Sequence, residues 1–121
     1  MNSSTPVTPD LKDEAVLKQL VQKLGSHDME VINQTSEQVL QLGDAAVPIL
    51  VSALTWQNEK IRQQAAFLLG ILQPPEAIPP LLTSMTRDPN IKIQHAAAHA
   101  LRNFNVEVML PHIFNKLHVP H

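Results

Sequence analysis

Apolar residues along this chain recur at helical spacing. Ile61, Ala65, Ala66, Leu69 and Leu72 stand at i, i+4, i+5, i+8 and i+11, which places them on one face of an α-helix. Arg62, Gln63 and Gln64 fill the gaps with polar side chains. The same pattern returns about 32 residues later in Ile93, Ala97, Ala98, Leu101 and Phe104, a spacing found in arrays of stacked helical repeats. The Ala pair matters physically, because small side chains let neighbouring helices approach closely. Val31, Val39 and Leu42 make a weaker first copy, with Thr35 and Ser36 at the place of the Ala pair.

A second kind of helix alternates with the first. Residues 47–54, 78–85 and 110–117 share a template in which Pro48, Pro79 and Pro111 hold one position near the start. Proline is tolerated there because the first backbone N–H groups of a helix lack intrahelical partners. Leu17, Leu20, Val21 and Leu24 fit the same face without the proline. The pattern predicts seven helices, near 10–24, 29–42, 45–55, 58–72, 75–86, 89–104 and 106–117. Gly25 and Gly43 read as residues that close helices. Asp88-Pro89 reads as an N-cap followed by proline at the first helical position. No segment alternates in the manner of a strand. The expectation is an all-α fold: residues 10–118 form one domain and residues 1–9 a disordered tail.

Composition narrows the class. Among 121 residues, 44% are hydrophobic but only 3% aromatic, so the core must be built from aliphatic side chains. The formal net charge of -2 lacks the basic excess of a general nucleic-acid binder. With no Cys there is neither a disulfide framework nor a thiolate metal site, in keeping with a reducing, cytoplasmic setting. The polar start has no secretory pattern, and no apolar run reaches the length of about 20 residues that crosses a bilayer. A partner that is protein or peptide is expected, with no nucleic acid, no membrane and no cofactor.

The string Asn58-Glu59-Lys60-Ile61-Arg62-Gln63-Gln64-Ala65-Ala66-Phe67-Leu68-Leu69-Gly70 resembles helix A of the HEAT-like repeat named after the phycobilisome lyases. Asp44-Ala45-Ala46-Val47-Pro48-Ile49-Leu50 and Glu76-Ala77-Ile78-Pro79-Pro80-Leu81-Leu82 resemble its helix B. The resemblance spans roughly residues 11–117. It implies an alpha-alpha superhelix, a HEAT-like or armadillo-type solenoid of about three helix pairs plus an N-terminal capping helix. Members of the family often join successive repeats by a ladder of Asp and Arg. Here Arg62 fills the Arg position while Ile32 and Gln94 do not, so the ladder is expected to be broken and the repeats to be held together by aliphatics. One branch, deoxyhypusine hydroxylase, binds iron through His-Glu dipeptides, and this chain has none.

Several residues are candidates for a site. His95 and His99, at i and i+4, share a helix face: either two metal ligands awaiting a third from Glu107 or His112, or two partly exposed surface residues. Trp56, the single Trp, is either a binding hot spot or a cap on the apolar seam between repeats. Helix B often lines the concave surface of such solenoids. Its outward positions would be Gln22, Ser52, Thr83 and Asn115, beside Lys23, Ala53, Ser84 and Lys116. That polar strip, with Arg87 at the repeat position of Trp56, could take a partner peptide or be plain solvated surface.

The functional expectation is a small non-enzymatic adaptor or scaffold, because no nucleophile motif, phosphate loop or carboxylate cluster is present. The lyase resemblance implies an alternative, the handling of a linear tetrapyrrole on phycobiliproteins, with Trp56, Arg87, His95 and His99 as pigment contacts. The last helix carries Met109, Ile113, Phe114 and Leu117, whose apolar surface would be open to self-association if nothing packs on it.

Overall fold

A computed structural model of the chain describes residues 13–105 together with Glu107, Leu110 and Pro111. The described residues form six α-helices and no strand: α1 (Glu14–Gln22), α2 (Met29–Leu42), α3 (Val47–Ala53), α4 (Glu59–Leu72), α5 (Ile78–Arg87) and α6 (Ile91–Arg102). Short 3₁₀ turns, Lys23–Gly25, Gly43–Ala46 and Pro75–Ala77, occupy the ends that the sequence pattern had counted as α-helix. The expected tail, most of the expected helix 106–117 and the candidates His112 and Asn115 lie outside the described residues.

Local chemistry sets the helix starts. The side chains of Asp13, Asp28, Asn58 and Asn90 each accept a hydrogen bond from a first-turn N–H, satisfying groups that have no intrahelical acceptor. Asn58 Oδ1 takes two, from Lys60 N at 2.8 Å and Ile61 N at 3.1 Å. Asp88 is therefore not the N-cap of α6, and Pro89 is not its first residue. Asp88 closes α5 in extended backbone, and the cap passes to Asn90. Pro48 stands in the first turn of α3, and Pro79 in that of α5. Gly43 ends α2 at φ 57, a backbone region costly for any residue with a Cβ. Gly25 ends the 3₁₀ turn after α1, where a Cβ would lie 2.9 Å from Asn58 Nδ2. Gln73 closes α4 in the left-handed conformation usually left to glycine, its N–H donating to Leu69 O at 2.8 Å.

The helices stack in two layers. α2, α4 and α6 follow one another, with the broadest contact between α4 and α6, while α1 packs on α3. Leu24, Leu50, Leu68, Leu69, Ile78, Leu81 and Ile93 are wholly buried between them. Each such side chain contributes about 1.5–3 kcal/mol, so the core rests mainly on aliphatics, with Phe104 also buried in it. At Gly70 two neighbouring helices of one layer, α4 and α6, come close: a Cβ there would sit 2.8 Å from Ala100 Cα and Cβ. Asn103 Nδ2 donates to Gly70 O across the same interface, at 3.1 Å. Thr35, at the Ala-pair position of α2, is buried with its hydroxyl donating to Val31 O at 2.7 Å, so no polar atom is stranded.

The broken ladder expected from the sequence needs correction. One rung stands: Arg62 Nε lies 2.9 Å from Asp88 Oδ2 and Arg62 Nη2 3.2 Å from Asp88 Oδ1, both side chains buried. Ile32, at the Arg position of the preceding repeat, is buried as an apolar residue instead. Gln94, at the Arg position of the following one, donates to Asp88 O at 2.7 Å. Among the described residues, inter-repeat packing is thus aliphatic with one buried ion pair.

Candidate binding groove

The turn between α3 and α4 and the turn between α5 and α6 stand side by side because one guanidinium holds both. Arg62 Nη1 donates to Trp56 O and Gln57 O, each at 2.9 Å, while the rest of the fork takes Asp88. Asp88 Oδ1 in turn accepts from Asn90 N at 2.9 Å and so orders the start of α6. With α3 and α5 in little direct backbone contact, a groove of about 1120 Å³ opens over this network.

Its walls come from both helices. Val51, Leu54 and Thr55 close one side and Pro80, Thr83 and Arg87 the other, with Trp56 and Arg62 between. Trp56 sits where the core meets the groove. It is half-buried and packs on the core, and it also lines the groove. Its indole Nε1 donates to Ser52 Oγ at 3.2 Å, which aims the ring. The Arg62 and Asp88 charges answer one another, so the exposed charge at this groove comes from Glu59, Arg87 and the half-exposed Lys60. The arrangement presents apolar surface for a side chain and, at the rim, a guanidinium suited to a carboxylate.

The structure gathers the candidates only in part. Trp56, Thr83 and Arg87 line this groove, and Ser52 joins it through the indole. Gln22 is exposed but lines a separate groove with Lys23, Gln34 and Gln38. Ala53 and Ser84 are buried, so neither belongs to an outward strip. α3 and α5 each turn that position inward, against the core. His95 and His99 are both exposed and line a third groove with Phe67. Among the described residues, no group of three His, Cys, Asp or Glu side chains is placed to hold a metal ion. The four proposed pigment contacts divide between two grooves, Trp56 and Arg87 in one, His95 and His99 in the other. Arg62 and Asp88, which build the site, are a pair that the sequence pattern alone does not join. The signal was present in the Asp that precedes one helix A and the Arg inside the helix A before it.

Among the described residues, no helix is long and apolar enough to cross a membrane. A family model for HEAT repeats matches residues 47–114, more than half of the chain. No curated protein and no solved structure matches it.

Proposed function

The chain belongs to the HEAT repeat family, and we propose that it is a small non-enzymatic adaptor that docks a peptide segment of another protein in the groove beside Trp56. HEAT repeats are helical scaffolds that serve protein interaction, and the observation that carries the reading is the groove itself. It is wide enough for a side chain, apolar along Leu54, Trp56 and Pro80, and edged by Arg87. An aromatic and an arginine in one concave site are the residue types that dominate binding energy at interfaces. The matching segment carries an apolar anchor followed by an acidic residue. The motif at residues 58–70 supports placing the repeat within the phycobilisome-lyase type, and the absence of Cys supports a cytoplasmic setting.

The test is affinity capture from a lysate of the source cell, comparing wild type with a Trp56→Ala/Arg87→Glu variant whose helicity is checked by circular dichroism. A stoichiometric protein retained by wild type and lost with the variant supports the reading. Equal retention by both proteins would remove the groove from it. A coloured molecule in the eluate, with no protein, would replace the adaptor with the pigment-handling role.

A further inference from the structure

A second surface is built on the other helix layer. α4 exposes Phe67 and Ile71, one turn apart, at 51% and 45% of their full surface. Neighbouring large apolar side chains left in water on a rigid helix mark an interaction surface more often than chance exposure does. The helices on either side differ in charge. α2 exposes Glu30 and Glu37 and contains no basic residue. α6 exposes Lys92, His95, His99 and Arg102 and contains no acidic one. These α6 residues line a groove of about 750 Å³ whose far wall is Phe67.

The repeat register orders these groups. Glu37 in α2, Phe67 in α4 and His99 in α6 hold the same position in successive repeats. They form a row that runs from acid through aromatic ring to base. Such a row is complementary to its own reverse. We infer that this face is the interface for a second copy of the chain, related by a two-fold axis through Phe67. A two-fold contact requires that residue i meet residue j while j meets i. Rotation about an axis that lies in the plane of the face, parallel to α4 and passing over Phe67, does this. It brings the two phenyl rings together, sets Glu37 of each copy against His99 of the other, and sets Lys92, two turns before His99, against the exposed Glu30, two turns before Glu37. The imidazole N–H donates to the carboxylate at both ends of the row.

The size of the face sets the strength. Three helices about 8–10 Å apart and about 20 Å long cover roughly 500–600 Å² on each copy. The total, roughly 1,000–1,200 Å², lies at the lower limit for a stable pair, so the dimer dissociates in the micromolar range. The surface shares no lining residue with the groove at Trp56, so its failure would leave the adaptor reading untouched.

Sedimentation equilibrium of the full chain, from about 1 to 300 µM, tests it. Wild type should pass from monomer to dimer and stop there. Phe67→Glu should raise the dissociation constant at least about 30-fold, as loss of a central aromatic contact does, and Ile71→Lys should act in the same direction. Both positions are exposed, so each variant should keep the wild-type circular dichroism. Glu37→Lys and His99→Glu, singly, should each weaken the dimer by about 3–10-fold, the first because it removes the acceptor of the imidazole N–H twice, the second because it sets two carboxylates opposite one another twice. Together they exchange the two ends of the row and should bring the constant back to within about threefold of wild type. Three results would overturn the inference. They are a monomer at every concentration, which leaves the face to a partner of different sequence, a dimer indifferent to Phe67→Glu, and a double variant no tighter than its single parents.

Discussion

Arg62 and Asp88 are 26 residues apart in the chain, yet the Arg62 Nε to Asp88 Oδ2 distance is 2.9 Å and both side chains are nearly closed to solvent. One guanidinium thus joins the α3–α4 turn to the α5–α6 turn, and the groove proposed for partner binding opens above the join. Removing either partner leaves an unmatched buried charge. Arg62→Ala and Asp88→Ala should each lower stability by about 3–5 kcal/mol in urea denaturation. Arg62→Lys should recover little, because an ammonium cannot reach the carboxylate and two carbonyls in one plane. A loss below ~1 kcal/mol for Arg62→Ala would show that the ion pair does not hold the repeats together.

Gly70→Ala sets two effects against each other. Alanine gains about 1 kcal/mol of helix propensity over glycine. The new Cβ, however, would stand 2.8 Å from Ala100 Cα and Cβ, where the neighbour is backbone and cannot swing aside. Overpacking of this kind costs about 1–3 kcal/mol. The net effect should be destabilising, with a lower thermal midpoint. An Ala100→Gly change made on top should relieve only part of it, since the new methyl would still press on the α6 backbone. A raised midpoint for Gly70→Ala alone would show that α4 and α6 can separate without cost.

Gln73→Gly should act in the opposite sense. Gln73 is exposed and held at φ 56, ψ 44, a conformation that costs a residue with a Cβ roughly 1–2 kcal/mol. Glycine removes that strain but has more freedom to lose on folding, so the expected gain is about 0.5–1 kcal/mol. Chemical denaturation reads it directly, and a loss of stability would mean that the glutamine side chain makes a contribution larger than its strain.

Phe67 and Leu68 are adjacent in α4, about 100° apart around the helix, and one is 51% exposed while the other is wholly buried. Leu68→Ala should destabilise the monomer by about 2–5 kcal/mol. Phe67→Ala should change it by no more than about 0.5 kcal/mol. Dilute samples, kept monomeric, separate this from any effect on association. Equal losses would place Phe67 in the core.

Much of the fold was legible because helix periodicity is a local property. The apolar spacing of residues 61–72, the early prolines and the Asn and Asp caps each express a constraint acting within a turn or two. The errors were also local in origin. Asp88-Pro89 has the form of a cap, but Asn90 offers the same acceptor nearer the turn, and Asp88 is drawn to Arg62.

The site was less legible, because grooves are made by residues whose proximity depends on how layers stack. The repeat register put Trp56 and Arg87 at equivalent positions, and the structure sets both in one groove. It assigned Gln22 to the same strip, but the C-terminal end of α1 faces a different groove. Outwardness along a helix can be read from spacing, but the neighbour it faces cannot.

The amino-acid sequence alone therefore determines that this chain is a row of amphipathic helices in repeating pairs, because burial of an apolar stripe is settled within each helix. Tertiary structure decides that Arg62 reaches Asp88, that α4 meets α6 at Gly70, and that Trp56, Thr83 and Arg87 share one groove. Those outcomes follow from the distances between helices, and these are set by the summed packing of side chains drawn from separate repeats.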